Sequence, residues 1–158
     1  MNDFIVSCGS TADLSEETAK KRNIAVLPFC FRIGETDYAD DFGKSISNEE
    51  FYKLTSGGAK VKTSQISSGR YVEFFEPFLK DGKDVLHVTL SSGLSGTYES
   101  CLSAKKELEA KYPERKVYVI DSLCGSMGYG MLVLSAADYR DEGRSAAESA
   151  ATLLKVSG

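Results

Sequence analysis

Histidine is nearly absent from this sequence, and its cysteines are few and far apart. His87 is the one histidine among 158 residues, and the four cysteines stand at positions 8, 30, 101 and 124. A zinc site needs cysteine and histidine ligands at short, characteristic spacings, and no such spacing occurs here. The sequence therefore argues against a bound zinc ion.

The sequence also lacks a targeting signal and any long apolar run. Residues 1–6 include no basic segment of the kind that begins a secretory signal peptide. The longest apolar stretch, around residues 131–137, contains Ser135 and ends at Asp138, so it is far shorter than a membrane span. We therefore expect a cytoplasmic protein without an integral membrane segment, in which the widely spaced cysteines are reduced thiols.

Positive charge is not in excess. The chain has 19 lysines and arginines against 23 aspartates and glutamates, which gives a formal net charge of −4. The basic residues are scattered and form no stripe that could match a phosphate backbone, so nucleic acid is not an expected partner. The hydrophobic share, 42%, is that of an ordinary globular chain of about one domain, long enough to bury a core without disulfides or metal.

Predicted strands and helices alternate along the chain. β-branched and aromatic runs predict strands at residues 4–7, 24–31, 85–90 and 117–120, with Pro28 marking an edge or a bend in the second. Capping residues and helical spacing of apolar residues predict helices at residues 15–22, 47–54, 71–79, 97–111 and 127–139, and a last helix that opens at Ser145. This alternation indicates an α/β fold with a mainly parallel sheet and helices on both faces.

Three loops are rich in hydroxyl groups. Ser10 and Thr11 follow the first predicted strand, residues 91–97 follow the third, and residues 62–68 precede an aromatic helix. Ligands bind at the carboxyl ends of strands in such sheets, and the free N–H groups at a helix start favour an anion. Serine and threonine before a helix are most often simple N-caps. The loops by themselves therefore predict an anion site of unspecified kind.

Catalytic motifs are missing around these loops. Residues 93–96 are similar to a nucleophile elbow, but the elbow requires glycine at position 97, where this chain has threonine. No histidine follows His87, so neither Ser95 nor Cys124 has a later histidine as its base. Walker and G-x-G-x-x-G loops are absent as well. We predict a binding protein that is not an enzyme. The alternatives are an α/β enzyme domain that holds a phosphate or nucleotide in the same loops, and a structural or regulatory domain without a ligand.

Four motifs occur in order along the chain. They are Ser10-Thr11-Ala12-Asp13-Leu14, Lys62-Thr63-Ser64-Gln65 with Ser67, Ser91-Ser92 through Leu94-Ser95-Gly96-Thr97-Tyr98, and Ile120-Asp121-Ser122 followed by Gly128 and Gly130. Together they resemble the DegV family of bacterial fatty-acid-binding proteins, and the resemblance covers essentially the whole chain. Two departures from the family pattern occur: Cys8-Gly9 replaces Thr-Asp, and Ile66 replaces proline.

The resemblance implies a carrier in phospholipid metabolism that presents a long-chain fatty acid to a separate fatty acid kinase subunit. The fatty acid is the ligand, and no cofactor or metal is implied. Residues 1–158 correspond to the family's first domain, and we expect the second domain, which closes over the acyl chain, to be absent from this chain. The residues implied to hold the carboxylate are Thr63, Ser92, Ser95, Gly96 and Thr97. The supporting loop residues are Ser10, Thr11, Ser64, Gln65, Asp121 and Ser122.

Overall fold

Two β-sheets organise the protein, which is described here by a computed structural model covering residues 4–157. Four strands form a parallel sheet in the order β2-β1-β6-β7, and three form an antiparallel sheet in the order β4-β3-β5. The strands are β1 (Phe4–Gly9), β2 (Ile24–Leu27), β3 (Cys30–Ile33), β4 (Thr36–Ala39), β5 (Val61–Ser64), β6 (Asp84–Thr89) and β7 (Val117–Asp121).

Six α-helices connect or follow the strands. They are α1 (Glu16–Lys21), α2 (Asn48–Ser56), α3 (Ser68–Lys80), α4 (Thr97–Lys111), α5 (Ser126–Asp141) and α6 (Ala146–Ser157). Ser15, Ser47 and Ser67 cap the first three, because each hydroxyl accepts a hydrogen bond from a backbone N–H in the first turn. Within residues 4–157, no helix combines the length and the apolar character that crossing a membrane requires.

Helices cover both faces of the parallel sheet. Side chains of β1 alternate between the faces, so that Phe4 and Val6 pack with α5 and α6 while Ile5 packs with α3 and α4. The central strands are buried on both sides, which explains why they read as continuous apolar runs. The predicted α/β fold, with a mainly parallel sheet and helices on both faces, is confirmed.

The antiparallel sheet corrects two predictions. The segment predicted as one strand at residues 24–31 is divided at Pro28 into β2, which belongs to the large sheet, and β3, which belongs to the small one. The segment 62–68, predicted as a loop, begins inside β5. Every residue of β5 is exposed, so its sequence carries no alternation of apolar and polar residues from which a strand could be predicted.

Candidate functional site

A cavity of about 650 Å³ lies between the small sheet and the carboxyl ends of the central parallel strands. Thr11 and Asp13 come from the loop after β1, and Leu90 and Ser95 come from the loop after β6. The opposite wall consists of residues from the small sheet and from α2. The volume of the cavity falls within the usual range for small-molecule sites, and its place at the strand ends is the usual one for an α/β fold.

One wall of this cavity is apolar and largely aromatic. The Phe31 ring stacks on Tyr38 with a centroid distance of 5.6 Å and meets the edge of Phe51 at 5.5 Å. These contacts fix the orientation of Phe31 on β3. The apolar side chains that line the cavity are Phe29, Phe31, Ile46, Phe51, Val61, Leu90 and Leu94. This wall suits a hydrocarbon group.

Hydroxyl and amide groups form the other part of the lining. Thr11, Thr63, Ser64, Gln65 and Ser95 all face the cavity. Thr63 and Ser64 lie on β5 and are exposed, whereas Ser95 lies just before α4 and is half-buried. The Thr63 hydroxyl has no hydrogen-bond partner within residues 4–157. It is therefore free to bind a ligand.

Three predicted carboxylate-binding residues are not among the described residues that line the cavity: Ser92, Gly96 and Thr97. Thr97 is 1% exposed, and its hydroxyl lies 2.8 Å from that of Ser95. The backbone N–H of Thr97 also donates to the Ser95 hydroxyl over 3.2 Å. Thr97 therefore orients Ser95 in this structure, and the direct contact with a ligand stays a prediction.

The remaining predicted residues tie loops together. The Asp121 carboxylate accepts hydrogen bonds from the backbone N–H groups of Ser92 and Leu123, each over 3.1 Å, and so joins the loops after β6 and β7. The Ser10 hydroxyl accepts a hydrogen bond from the Phe29 N–H over 3.0 Å. Ser122 donates to the Cys124 carbonyl oxygen over 2.9 Å. These contacts hold the loops that border the cavity without reaching into it.

A buried tyrosine on α5 fixes the loop after β1. The Tyr129 hydroxyl accepts a hydrogen bond from the Gly9 N–H over 2.7 Å and donates one to the Val88 carbonyl oxygen over 2.8 Å. It thus joins the ends of β1 and β6, where the cavity begins. In the sequence, Gly128 and Gly130 of the fourth motif flank this tyrosine, but the motif does not reveal its hydrogen bonds.

The charged groups that line the cavity are carboxylates: Asp13, Asp40 and Asp41. No lysine or arginine is among the described residues of its lining. The Asp13 carboxylate accepts a hydrogen bond from Ser126 over 2.5 Å, and that of Asp41 accepts from the Ser45 hydroxyl over 2.5 Å. The contacts with Ser45 and nearby backbone N–H groups lower the pKa of Asp41. Residues 4–157 contain no cluster of three or more side chains suited to hold a metal ion.

His87 and the two buried cysteines stand apart from the cavity. The imidazole Nδ1 lies 2.8 Å from the Ser7 hydroxyl, and burial lowers the pKa of His87 from 6.5 to about 3. Burial raises the pKa of Cys8 from 9.0 to about 12 and raises that of Cys101 as well. A neutral, enclosed imidazole and two protonated thiols cannot reach a ligand in the cavity. They serve packing.

The fold and the cavity define a class of protein: an α/β domain with a cavity, partly apolar and partly polar, at the ends of its parallel strands. The family to which it belongs follows from comparison with known proteins. The model of the DegV family, described as a family of uncharacterised proteins, matches residues 5–157. The chain belongs to the DegV family.

Relatives and solved structures agree with this assignment. A DegV domain-containing protein of Clostridium perfringens is 36% identical over 145 residues, which are 92% of this chain and 50% of that protein. A fatty-acid-binding DegV family protein from Thermus thermophilus superposes with a TM-score of 0.85 at 27% identity, over 98% of this chain and 53% of that one. A stearic acid-binding protein from Eubacterium ventriosum superposes with a TM-score of 0.85 at 27% identity, over 96% of this chain and 52% of that one. The chain spans about half the length of the relatives it matches.

Proposed function

We propose that this chain binds a long-chain fatty acid, with its carboxylate at Thr63 and Ser95 and the start of its acyl chain along Phe29, Phe31 and Phe51. The observation that carries the proposal is that one cavity joins the unpartnered Thr63 hydroxyl and the Ser95 hydroxyl to an aromatic wall. The proteins from Thermus thermophilus and Eubacterium ventriosum, which share this fold at 27% identity, are described as binding fatty acids. Their ligand class matches the chemistry of this cavity.

Burial of the acyl chain supplies the main driving force. Each methylene group removed from water contributes about 0.8 kcal/mol, so roughly fifteen of them offer on the order of 10 kcal/mol. That gain survives only if the carboxylate keeps hydrogen bonds, because an unpaired buried charge costs far more. The free hydroxyl of Thr63 and that of Ser95, which Thr97 orients, meet this need. In the same proposal, Ser92, Gly96 and the N–H of Thr97 are further candidates for contact with the carboxylate.

The alternative ligand, a phosphate or nucleotide, fits the cavity less well. A phosphate carries more negative charge than a carboxylate, and proteins commonly bind it with lysine, arginine or a bound cation. The cavity presents three aspartates and, among its described lining residues, no lysine or arginine. A second or third negative charge on the ligand would therefore face net repulsion. A singly charged head group with a long apolar tail suits this lining better.

The exposed apolar rim supports a wider proposal about the whole protein. Leu94, Leu123, Met127 and Met131 are large apolar side chains that lie exposed on the loops after β6 and β7 and on the first turns of α5. We propose that a second domain, equivalent to the other half of the relatives, covers this rim and the acyl chain. In that arrangement the protein is a cytoplasmic carrier that supplies no catalytic group itself. A separate fatty acid kinase, which the family resemblance implies, acts on the bound ligand.

Substitution of Thr63 tests the site. Titration of the 158-residue chain with hexadecanoic acid at fixed salt should give weaker binding for Thr63→Ala than for the wild type. Loss of one hydrogen bond to a charged group corresponds to about ten- to a hundredfold in affinity. Thr63→Ser should lose less, because the hydroxyl group remains.

Ser103→Ala is the matched control. Its hydroxyl donates to the Glu99 carbonyl oxygen over 3.0 Å on the exposed side of α4, away from the cavity. This variant should bind like the wild type. Equal affinity of folded Thr63→Ala and wild type would show that the carboxylate is held elsewhere. Native mass spectrometry with hexadecanoic acid or ATP checks the ligand class, and a stable ATP adduct without an acyl adduct would favour the alternative.

A further inference from the structure

We propose that Gln65 is a positioning residue of the head-group site, and that Gly96 is glycine because the Gln65 amide rests on its Cα. This inference rests on the proposed function. Gly96 has φ −69° and ψ 5°, a conformation that any residue adopts, so backbone freedom does not explain the glycine. A Cβ atom at position 96 would lie 2.4 Å from Gln65 Oε1, 3.2 Å from Cδ and 3.4 Å from Nε2. The requirement at position 96 is therefore steric, and the group that imposes it is one amide.

Gln65 joins two parts of the protein that have few other polar links. It follows β5, an edge strand that pairs with β3 alone, and its Nε2 donates to the Ser100 hydroxyl on α4 over 3.5 Å. Within residues 4–157, the other side-chain hydrogen bond from segment 30–66 to the rest of the chain is Lys44 to Glu16 on α1. The Gln65 amide is therefore the polar link between the end of β5 and α4, next to the buried Ile66, which packs in the same cluster as α4.

This link lies between the two proposed carboxylate contacts. Thr63 is two residues before Gln65, and Ser95 is one residue before Gly96, so the amide contact sets how far apart their hydroxyl groups lie. Hydrogen bonds weaken steeply when distance or angle departs from the ideal. If the amide is displaced, Thr63 stays on β5 and Ser95 stays before α4, but the distance between their hydroxyl groups no longer suits one carboxylate. Gln65 therefore acts through Thr63 and Ser95 and need not touch the ligand.

The position of the amide makes the proposal testable without unfolding the protein. The contact at position 96 is with the end of the exposed Gln65 side chain and not with backbone, so Gly96→Ala should displace the amide and leave the backbone in place. Gly93→Ala is the matched control in the same loop, because its Cβ would meet only the Ser91 hydroxyl at 3.5 Å, an ordinary contact. The two glycine variants differ in whether they displace Gln65.

Affinity for hexadecanoic acid and for its methyl ester is measured for the wild type, Gly96→Ala, Gln65→Ala, the double variant and Gly93→Ala. We expect Gly96→Ala and Gln65→Ala each to weaken acid binding about three- to tenfold, the range of a weakened hydrogen bond. Ester binding should change much less, because the ester has no carboxylate to align. The double variant should bind like Gln65→Ala alone. Equal losses for acid and ester, or additive losses in the double variant, would overturn the proposal.

Hydrogen exchange of the β5 backbone amides in the unliganded protein tests whether Gln65 holds β5 in place. Exchange should be faster in Gly96→Ala and Gln65→Ala and unchanged in Gly93→Ala. If the wild-type chain binds no hexadecanoic acid, the proposed function is refuted. The exchange rates would still decide whether Gln65 positions β5. Unchanged exchange in both Gly96→Ala and Gln65→Ala would overturn the positioning role even if the acid binds.

Discussion

The buried histidine makes the stability of this protein depend on pH in a defined window. His87 packs in T-shaped contacts against the stacked rings of Tyr71 and Phe75, at centroid distances of 5.2 and 5.1 Å, and its Nδ1 meets the Ser7 hydroxyl. Burial lowers its pKa from 6.5 to about 3. The folded protein therefore keeps the imidazole neutral at pH values where the unfolded chain protonates it.

The sign and size of the effect follow from this difference in pKa. Between pH 3 and 6.5 the unfolded state binds more protons, so the free energy of unfolding falls as the pH falls. The slope from one such group is about 1.4 kcal/mol per pH unit, which gives a loss of about 3 kcal/mol between pH 7 and pH 4. Above pH 6.5 this contribution is fully present, and below about pH 3 it is lost.

Urea unfolding at pH 7, 6, 5 and 4 measures the effect when the wild type is compared with a Ser7→Ala/His87→Phe double variant. The double variant removes the titrating ring without leaving an unpaired hydroxyl, and the carboxylates common to both proteins cancel in the difference. The wild type should lose about 3 kcal/mol more than the double variant over this range. Ser7→Ala alone should keep the slope. A difference that stays constant with pH would show that His87 does not titrate as its burial implies.

Two further perturbations test packing and thiol access. Gly130→Ala should destabilise the fold by about 1–3 kcal/mol in urea unfolding, because its Cβ would lie 2.5 Å from the Ala12 carbonyl oxygen, and backbone cannot swing aside. Gly69→Ala on α3 should not destabilise the fold, because no atom lies within 4 Å of the added Cβ. Equal urea midpoints for the two variants would contradict this prediction. Iodoacetamide at pH 8 should label the exposed Cys30 and Cys124 in the native protein and the two buried cysteines only after unfolding, as mass spectrometry would show.

Local chemistry made the large sheet and its helices predictable. The helix predicted at residues 97–111 has the bounds of α4, because Thr97 follows a glycine-rich loop and Pro113 prevents extension. The helices at residues 47–54 and 127–139 are observed within two residues of their predicted ends. Apolar runs predicted the central strands, since a parallel sheet covered on both faces buries nearly all of their side chains.

The small sheet was not predictable in the same way. β4 and β5 are exposed or half-buried, so the contrast between apolar and polar faces that marks a strand is missing. Pro28 predicted an edge or a bend, but a bend within one sheet and a crossing from one sheet to another look alike in sequence. The aromatic wall of the cavity was missed for the same reason. Phe31 lines the cavity because β3 belongs to the small sheet and not to the parallel sheet.

The proposed carboxylate site shows which roles a sequence motif predicts and which roles depend on packing. Ser95 and Thr97 belong to one motif and carry the same functional group, so the sequence assigns both to the ligand. In the fold, Thr97 is 1% exposed and its hydroxyl is 2.8 Å from that of Ser95, while Ser95 lines the cavity. The Thr97 hydroxyl, which is hydrogen-bonded to that of Ser95, therefore affects a ligand by orienting the Ser95 hydroxyl. Loss of the Thr97 hydroxyl should therefore weaken binding through Ser95, whereas loss of the Thr63 hydroxyl should remove the proposed contact itself.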